Sequence, residues 1–152
     1  HCVTRRQRQM CIRDRLRPFH LAFPITNIKK TIKWYTNTLG CKIGRIDDRW
    51  VDFNFYGHQI SAHLVDNKIN FQNSNIVDGK NIPCRHFGII LTNRKWNELS
   101  SKLINEKIDF LIKPNTRFIG EKGEQSTFFI KDPSGNILEF KSFKNDRMIF
   151  DR

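Results

Sequence analysis

Alternating and helical spacings of apolar residues divide positions 18–143 into two runs with the same order of elements. Over residues 18–25 the chain alternates, with Phe19, Leu21, Phe23 and Ile25 on one face and His20, Ala22 and Pro24 on the other. Thr26 or Asn27 then caps a helix in which Ile28, Ile32, Tyr35 and Leu39 recur at helical spacing, and Gly40 stops it. Three strands are expected at 41–46, 50–56 and 59–65. The second run repeats this order. A strand at 84–91 leads to a cap at Thr92 or Asn93 and a helix with Trp96, Leu99, Leu103 and Ile104 as its apolar stripe. Strands follow at 110–112, 125–130 and 136–143, with a loop at 113–124. Between the runs, residues 66–83 are polar and Asn-rich, with a turn signal at Asp78-Gly79, and read as a linker or long connecting loop.

The registers of the two runs agree. His20 is followed at plus six and plus seven by Thr26-Asn27, and His86 at the same offsets by Thr92-Asn93. A unit of this kind cannot cover its own sheet, so it packs against its copy. The expectation is an α+β fold of two tandem βαβββ modules, 18–65 and 84–143, forming a cup-shaped mixed sheet with helices outside. Residues 144–152 are then a C-terminal tail.

Three polar residues interrupt apolar strands and change the picture from fold to chemistry. Glu139 sits inside Ile137-Leu138-Glu139-Phe140, launched by the turn Asp132-Pro133-Ser134-Gly135. A carboxylate withdrawn from water needs a partner or a metal ion. His20 and His86 lie opposite the apolar faces of their own strands, so all three are expected to look into the concave side. Either histidine alone is explained by a buried ring bonded to a backbone carbonyl. Two imidazoles and one carboxylate together are the donor set of an open catalytic metal site.

Composition adds little to this and excludes several classes. The net charge is +12, of which residues 1–17, with six Arg against one Asp, carry +5 and the remainder +7. That first segment lacks periodicity and the marks of a secretory signal, and is expected to be a disordered or artefactual basic tail. With it set aside the basic residues are scattered, which argues against a nucleic-acid partner. No apolar run approaches the roughly 20 residues that cross a bilayer, so no membrane partner is expected. Cys2, Cys11, Cys41 and Cys84 form no CxxC pair, leaving neither a disulfide framework nor a zinc knuckle, and the cytoplasm is the expected location.

The paired modules, the opening His20, Trp34-Tyr35 followed by Leu39-Gly40, His86 and Asp132-Pro133-x-Gly135-x-x-x-Glu139 together resemble the vicinal oxygen chelate superfamily of glyoxalases, fosfomycin and bleomycin resistance proteins and extradiol dioxygenases. Within it, Phe19-His20-Leu21-Ala22-Phe23-Pro24, Trp50-Val51-Asp52-Phe53-Asn54-Phe55 and Gly57-His58-Gln59 are most similar to small relatives of the extradiol dioxygenases. The resemblance implies His20, His86 and Glu139 as ligands of a divalent metal ion, with iron(II) favoured and manganese(II), nickel(II) or zinc(II) as alternatives. The glyoxalases' fourth ligand, a glutamate, falls on His63, or on Ser61 if the register slips, and no carboxylate stands there.

The implied activity is extradiol-dioxygenase-like oxidation of a small molecule that chelates the metal through neighbouring oxygens. His63 is the expected base, and Arg117, Trp50 and Asn54 the expected substrate contacts. The alternatives are a glyoxalase-like isomerase or lyase, in which Glu139 moves a proton, and a metal-free binding protein of the bleomycin type. Such proteins often pair modules between chains, so a homodimer is the alternative to a self-contained cup.

Overall fold

A computed structural model of the chain describes residues 16–69, 74–77 and 80–150. The expectation for residues 1–17 falls almost wholly outside that range. The first module runs β1 (His20–Ile25), α1 (Ile28–Asn37), β2 (Lys42–Ile46), β3 (Trp50–Phe55) and β4 (His58–Leu64). A two-stranded hairpin, β5 (Ser74–Val77) and β6 (Lys80–Pro83), follows. The second module runs β7 (Phe87–Ile90), α2 (Asn93–Asn105), β8 (Phe110–Arg117), β9 (Gln125–Lys131) and β10 (Ile137–Phe143), and a 3₁₀ turn covers Asp146–Ile149.

Each module builds its own four-stranded mixed sheet, ordered β1-β4-β3-β2 and β7-β10-β9-β8. In each, the first strand crosses over its helix to lie parallel to the last. The expected duplication is therefore present as two matching sheets.

Local chemistry explains the boundaries. Asn27 and Thr92 cap the two helices, accepting from Lys30 N and Lys95 N. Lys29, Lys30 and Lys33 line the solvent side of α1, while Thr31 and Tyr35 are buried. On α2, Trp96 and Leu103 are buried but Ile104 is 54% exposed, because four consecutive stripe positions span more arc than the contact with the sheet covers. Phe19, expected in the alternating face, precedes β1 and is exposed.

Three further boundaries correct the sequence reading. The segment expected to be a linker contains the β5–β6 hairpin, whose four-residue strands are too short to show alternation; the turn expected at Asp78-Gly79 lies outside the described residues. Strand β8 extends through Arg117, so the expected loop from 113 is shorter. Strand β7 begins at Phe87, one residue after His86.

One aromatic core spans both modules. Tyr35 stacks on Phe53 at 5.0 Å, Phe23 meets Phe87 at 5.1 Å across the module boundary, and Phe140 stacks on Phe128 at 5.1 Å. Burying each such ring stabilises the fold by about 2–3 kcal/mol before entropy is subtracted. Polar ties cross the same boundary. Lys102 Nζ donates to the carbonyls of Asn37 and Thr38 at the end of α1, where a cation suits the helix dipole.

The turn before β10 is the tightest of these ties. Asp132, buried, accepts from the backbone N–H groups of Ser134 and Asn136, from Asn136 Nδ2 and from the Tyr35 hydroxyl. Asn136 Nδ2 also donates to the Pro24 carbonyl, and Thr26 N to Ser134 Oγ. Gly135 takes φ +88°, which completes the turn. Burial pushes the Asp132 carboxyl up and the four donors pull against it. Burial likewise raises the Tyr35 hydroxyl, with the Asp132 charge adding to it, so the phenol stays a donor.

Gly88 is paired with Glu139 where β7 meets β10, and a Cβ there would stand 1.6 Å from the Glu139 carbonyl oxygen. A backbone atom cannot yield as a flexible side chain would. Gly88→Ala is expected to cost about 2–3 kcal/mol in urea unfolding, by forcing β7 off β10. A loss under about 0.5 kcal/mol would show that the strands are not packed this closely.

Candidate metal centre

Strand β10 turns Leu138 and Phe140 to the core, so Glu139 faces the other way, and it is 8% exposed. Thr127 Oγ1 on β9 donates to Glu139 Oε1 at 2.7 Å. The other oxygen, Oε2, lies 3.2 Å from His86 Nε2 and 3.4 Å from Lys141 Nζ. Lys141 is two residues along the same strand and so on the same face. His86 packs edge-on against Phe129 at 5.3 Å. His86, Glu139 and Lys141 border a cavity of about 260 Å³ with Gly88 and Ile90 in its wall.

The proton positions follow from valence. His86 Nδ1 lies 2.6 Å from the Pro83 carbonyl oxygen, which can only accept, so Nδ1 donates. A neutral ring then presents a lone pair at Nε2 to the lone pairs of Glu139. Two acceptors 3.2 Å apart need a proton or a cation between them. In the ion-free protein the proton takes that place: the hydrogen bond to Glu139 holds the His86 pKa above 6.5 against the opposing effect of burial. Burial pushes Glu139 up, yet the bonds from His86 and Thr127 and the Lys141 charge outweigh it and hold the carboxyl below 4.5.

The first module builds a separate polar centre. His20 is exposed, and its Nδ1 lies 2.9 Å from Gln59 Oε1, the residue directly opposite on β4. Gln59 Nε2 donates to Asp52 Oδ2 at 3.1 Å, Ser61 Oγ to Asp52 Oδ1 at 2.5 Å, and Arg45 Nε to Oδ2 at 3.2 Å. A cavity of about 290 Å³ opens here, lined among others by Arg45, Asp52, Asn54, His58 and Gln59.

Of the three expected ligands, then, His86 and Glu139 are together and His20 is held elsewhere. Among the described residues, no three His, Cys, Asp or Glu side chains gather closely enough to hold a metal ion. The polar face of the first sheet borders the cavity beside Asp52, and that of the second sheet the cavity beside Glu139. The position beside His20 on β4 belongs to Gln59; Ser61 is opposite Ala22 and His63 opposite Pro24.

His63 is exposed on the first sheet. Trp50 lies under the Arg45 guanidinium at 5.3 Å, Asn54 Oδ1 accepts from Gly57 N, and Arg117 ends β8 with its guanidinium over Phe118 at 5.0 Å. Residues that the sequence reading left without a role include Thr127, Lys141 and Gln59. Each is a polar position on the face of its strand away from the core, which is the signal that could have found them.

No helix among the described residues is long and apolar enough to cross a membrane. The profile of the Glyoxalase/Bleomycin resistance protein/Dioxygenase superfamily matches residues 17–140. A crystal structure of a glyoxalase/bleomycin resistance protein/dioxygenase from Alicyclobacillus acidocaldarius is 32% identical, covers 88% of this chain and 96% of its own, and superposes with a TM-score of 0.73. Virulence protein STM3117 of Salmonella typhimurium is 23% identical over 124 residues, 82% of each chain. The fosfomycin resistance protein FosX of Listeria monocytogenes, 13% identical with coverage of 88% and 97%, shares the fold at a TM-score of 0.62. With both the profile and the two-module architecture in agreement, the chain belongs to the Glyoxalase/Bleomycin resistance protein/Dioxygenase superfamily.

Proposed function

We propose that this chain is a metal-dependent enzyme of its superfamily acting on a small molecule with two neighbouring oxygens, with extradiol-dioxygenase-like oxidation as the leading activity. The observation that carries the reading is the contact between His86 Nε2 and Glu139 Oε2, two acceptors aimed at one point with their other atoms already bonded to Pro83 and Thr127. Such outer bonds are what orient a metal's ligands. His86 and Glu139 would hold the ion, while His20, the third donor expected from the sequence, is bonded to Gln59 in the first module. When bound, a divalent ion supplies Lewis acidity to the substrate's paired oxygens and, as iron(II), a route for electrons to O₂.

The chain's own groups do the rest. The Lys141 ammonium offsets the negative charge of a deprotonated substrate oxygen, and Ile90 in the cavity wall excludes water from its apolar part. His63, the expected base, is exposed on the first sheet and borders neither cavity, so no proton transfer is assigned to it. The isomerase reading keeps the same ion site but uses Glu139 as the proton carrier and needs no oxygen. The position of His20 apart from the other two donors favours the metal-free binding reading as a second possibility.

Calorimetric titration of the ion-free chain with iron(II) under argon is expected to find one site, weakened by more than about 100-fold in Glu139→Gln and in His86→Ala. Unchanged binding in both variants would end the metal reading. With iron(II) loaded and a catechol as probe, ring opening is expected in air and none under argon; equal turnover in both would select the isomerase reading.

The two pKa shifts set a pH window. His86, raised above 6.5, contributes stability that is fully present below 6.5 and lost as pH rises through its folded value. Glu139, lowered below 4.5, contributes stability present above 4.5 and lost as pH falls through its folded value. Both contributions are therefore present between these ordinary values. In the ion-free protein, an NMR titration is expected to place His86 above 6.5 and to move it down in Glu139→Gln. The same proton competes with the cation, so metal affinity is expected to fall as pH drops through the His86 value. A His86 midpoint indifferent to Glu139→Gln would contradict both expectations.

A further inference from the structure

We propose that Asp52 and Gln59 are positioning residues that fix the proton of His20 on Nδ1, leaving Nε2 as a bare electron-pair donor. Asp52 is 4% exposed on the polar face of β3, where a carboxylate needs donors around it. It has them in the Ser61 hydroxyl, the Gln59 amide and the Arg45 guanidinium. Because a carboxylate in this setting accepts only, the Gln59 amide must turn its nitrogen to Asp52, at 3.1 Å. Its oxygen then has one direction left, toward His20 Nδ1 at 2.9 Å. An amide oxygen cannot donate, so Nδ1 does. In the neutral ring the lone pair is left on Nε2.

Strand register builds this chain of bonds. His20 is opposite Gln59 in the parallel β1–β4 pair, and Asp52 is opposite Ser61 in the antiparallel β3–β4 pair, placing Gln59 diagonal to Asp52. His86 reaches the same tautomer by other means, through the Pro83 carbonyl. Two histidines at corresponding places in duplicated modules thus present the same nitrogen, one set by backbone and the other by a side-chain relay. A carboxylate that served only to pair with Arg45 would not need the amide between it and the imidazole. The tautomer stands on this geometry alone, while its use in binding a cation rests on the function proposed above.

The test is the tautomeric state of His20 by long-range ¹H–¹⁵N correlation on the full, ion-free chain at alkaline pH. Wild type is expected to show His20 protonated at Nδ1. In Gln59→Leu the Nδ1–H signature is expected to be lost, and in Asp52→Asn, where the amide is free to turn over, to be mixed with the Nε2–H form. Ser61→Ala, which touches Asp52 without reaching His20, is expected to keep it.

His86, held by Pro83, serves in each variant as the internal sign of an intact fold. A wild-type His20 protonated at Nε2 overturns the proposal, and decides the matter even if a variant fails to fold. A tautomer unmoved in a folded Gln59→Leu also overturns it. Cobalt(II) titration separates the two ideas: Gln59→Leu is expected to weaken binding about tenfold or more, whereas a wild-type chain that binds no cobalt(II) but shows His20 protonated at Nδ1 refutes the metal reading and leaves the positioning role standing.

Discussion

A carboxylate buried at the junction of the two modules organises much of what this protein can do. Asp132 gathers donors from its own turn and from Tyr35 on the other module, and the Asn136 it holds reaches back to the Pro24 carbonyl at the end of β1. Removing such a group would strand several buried donors at about 1–3 kcal/mol each. The consequence is positional. The turn is pinned to the first module, β10 leaves it in a fixed direction, and Glu139 arrives seven residues later with its phase already set.

The same logic of satisfied partners then shapes each centre. In the second module a backbone carbonyl and a threonine hydroxyl occupy the outer atoms of His86 and Glu139 and leave their inner atoms facing each other. In the first, Asp52 and Gln59 occupy one side of His20. Both arrangements fix a proton on Nδ1 and turn Nε2 away from that partner. Gly88 makes the second possible, since any larger residue would hold β7 away from the strand that carries Glu139.

The sequence made the duplication legible because period-two and period-3.6 patterns survive in any strand or helix that is buried on one face. The offset of His20 to Asn27 and of His86 to Asn93 carried the register of both modules, and the isolated Glu139 announced that something must satisfy it. The β5–β6 hairpin was not legible, since two four-residue strands are too short to establish a period. Nor was the partner of His20. Alternation places Gln59, Ser61 and His63 on one face of β4, but only the pairing of β1 with β4 selects Gln59 as the neighbour. The separation of His20 from His86 and Glu139 was also beyond reach, because face assignment says which way a side chain points and not how far away its partners stand.

His86 and Glu139 are proposed to share a cation-sized point between them. Crystals grown with zinc(II) and measured at the zinc edge test it most directly. The account predicts an anomalous peak about 2.0–2.2 Å from both His86 Nε2 and a Glu139 oxygen, with the His86 bond to Pro83 retained. An intact His86–Glu139 contact with no peak beside it, in crystals containing saturating zinc(II), would contradict it.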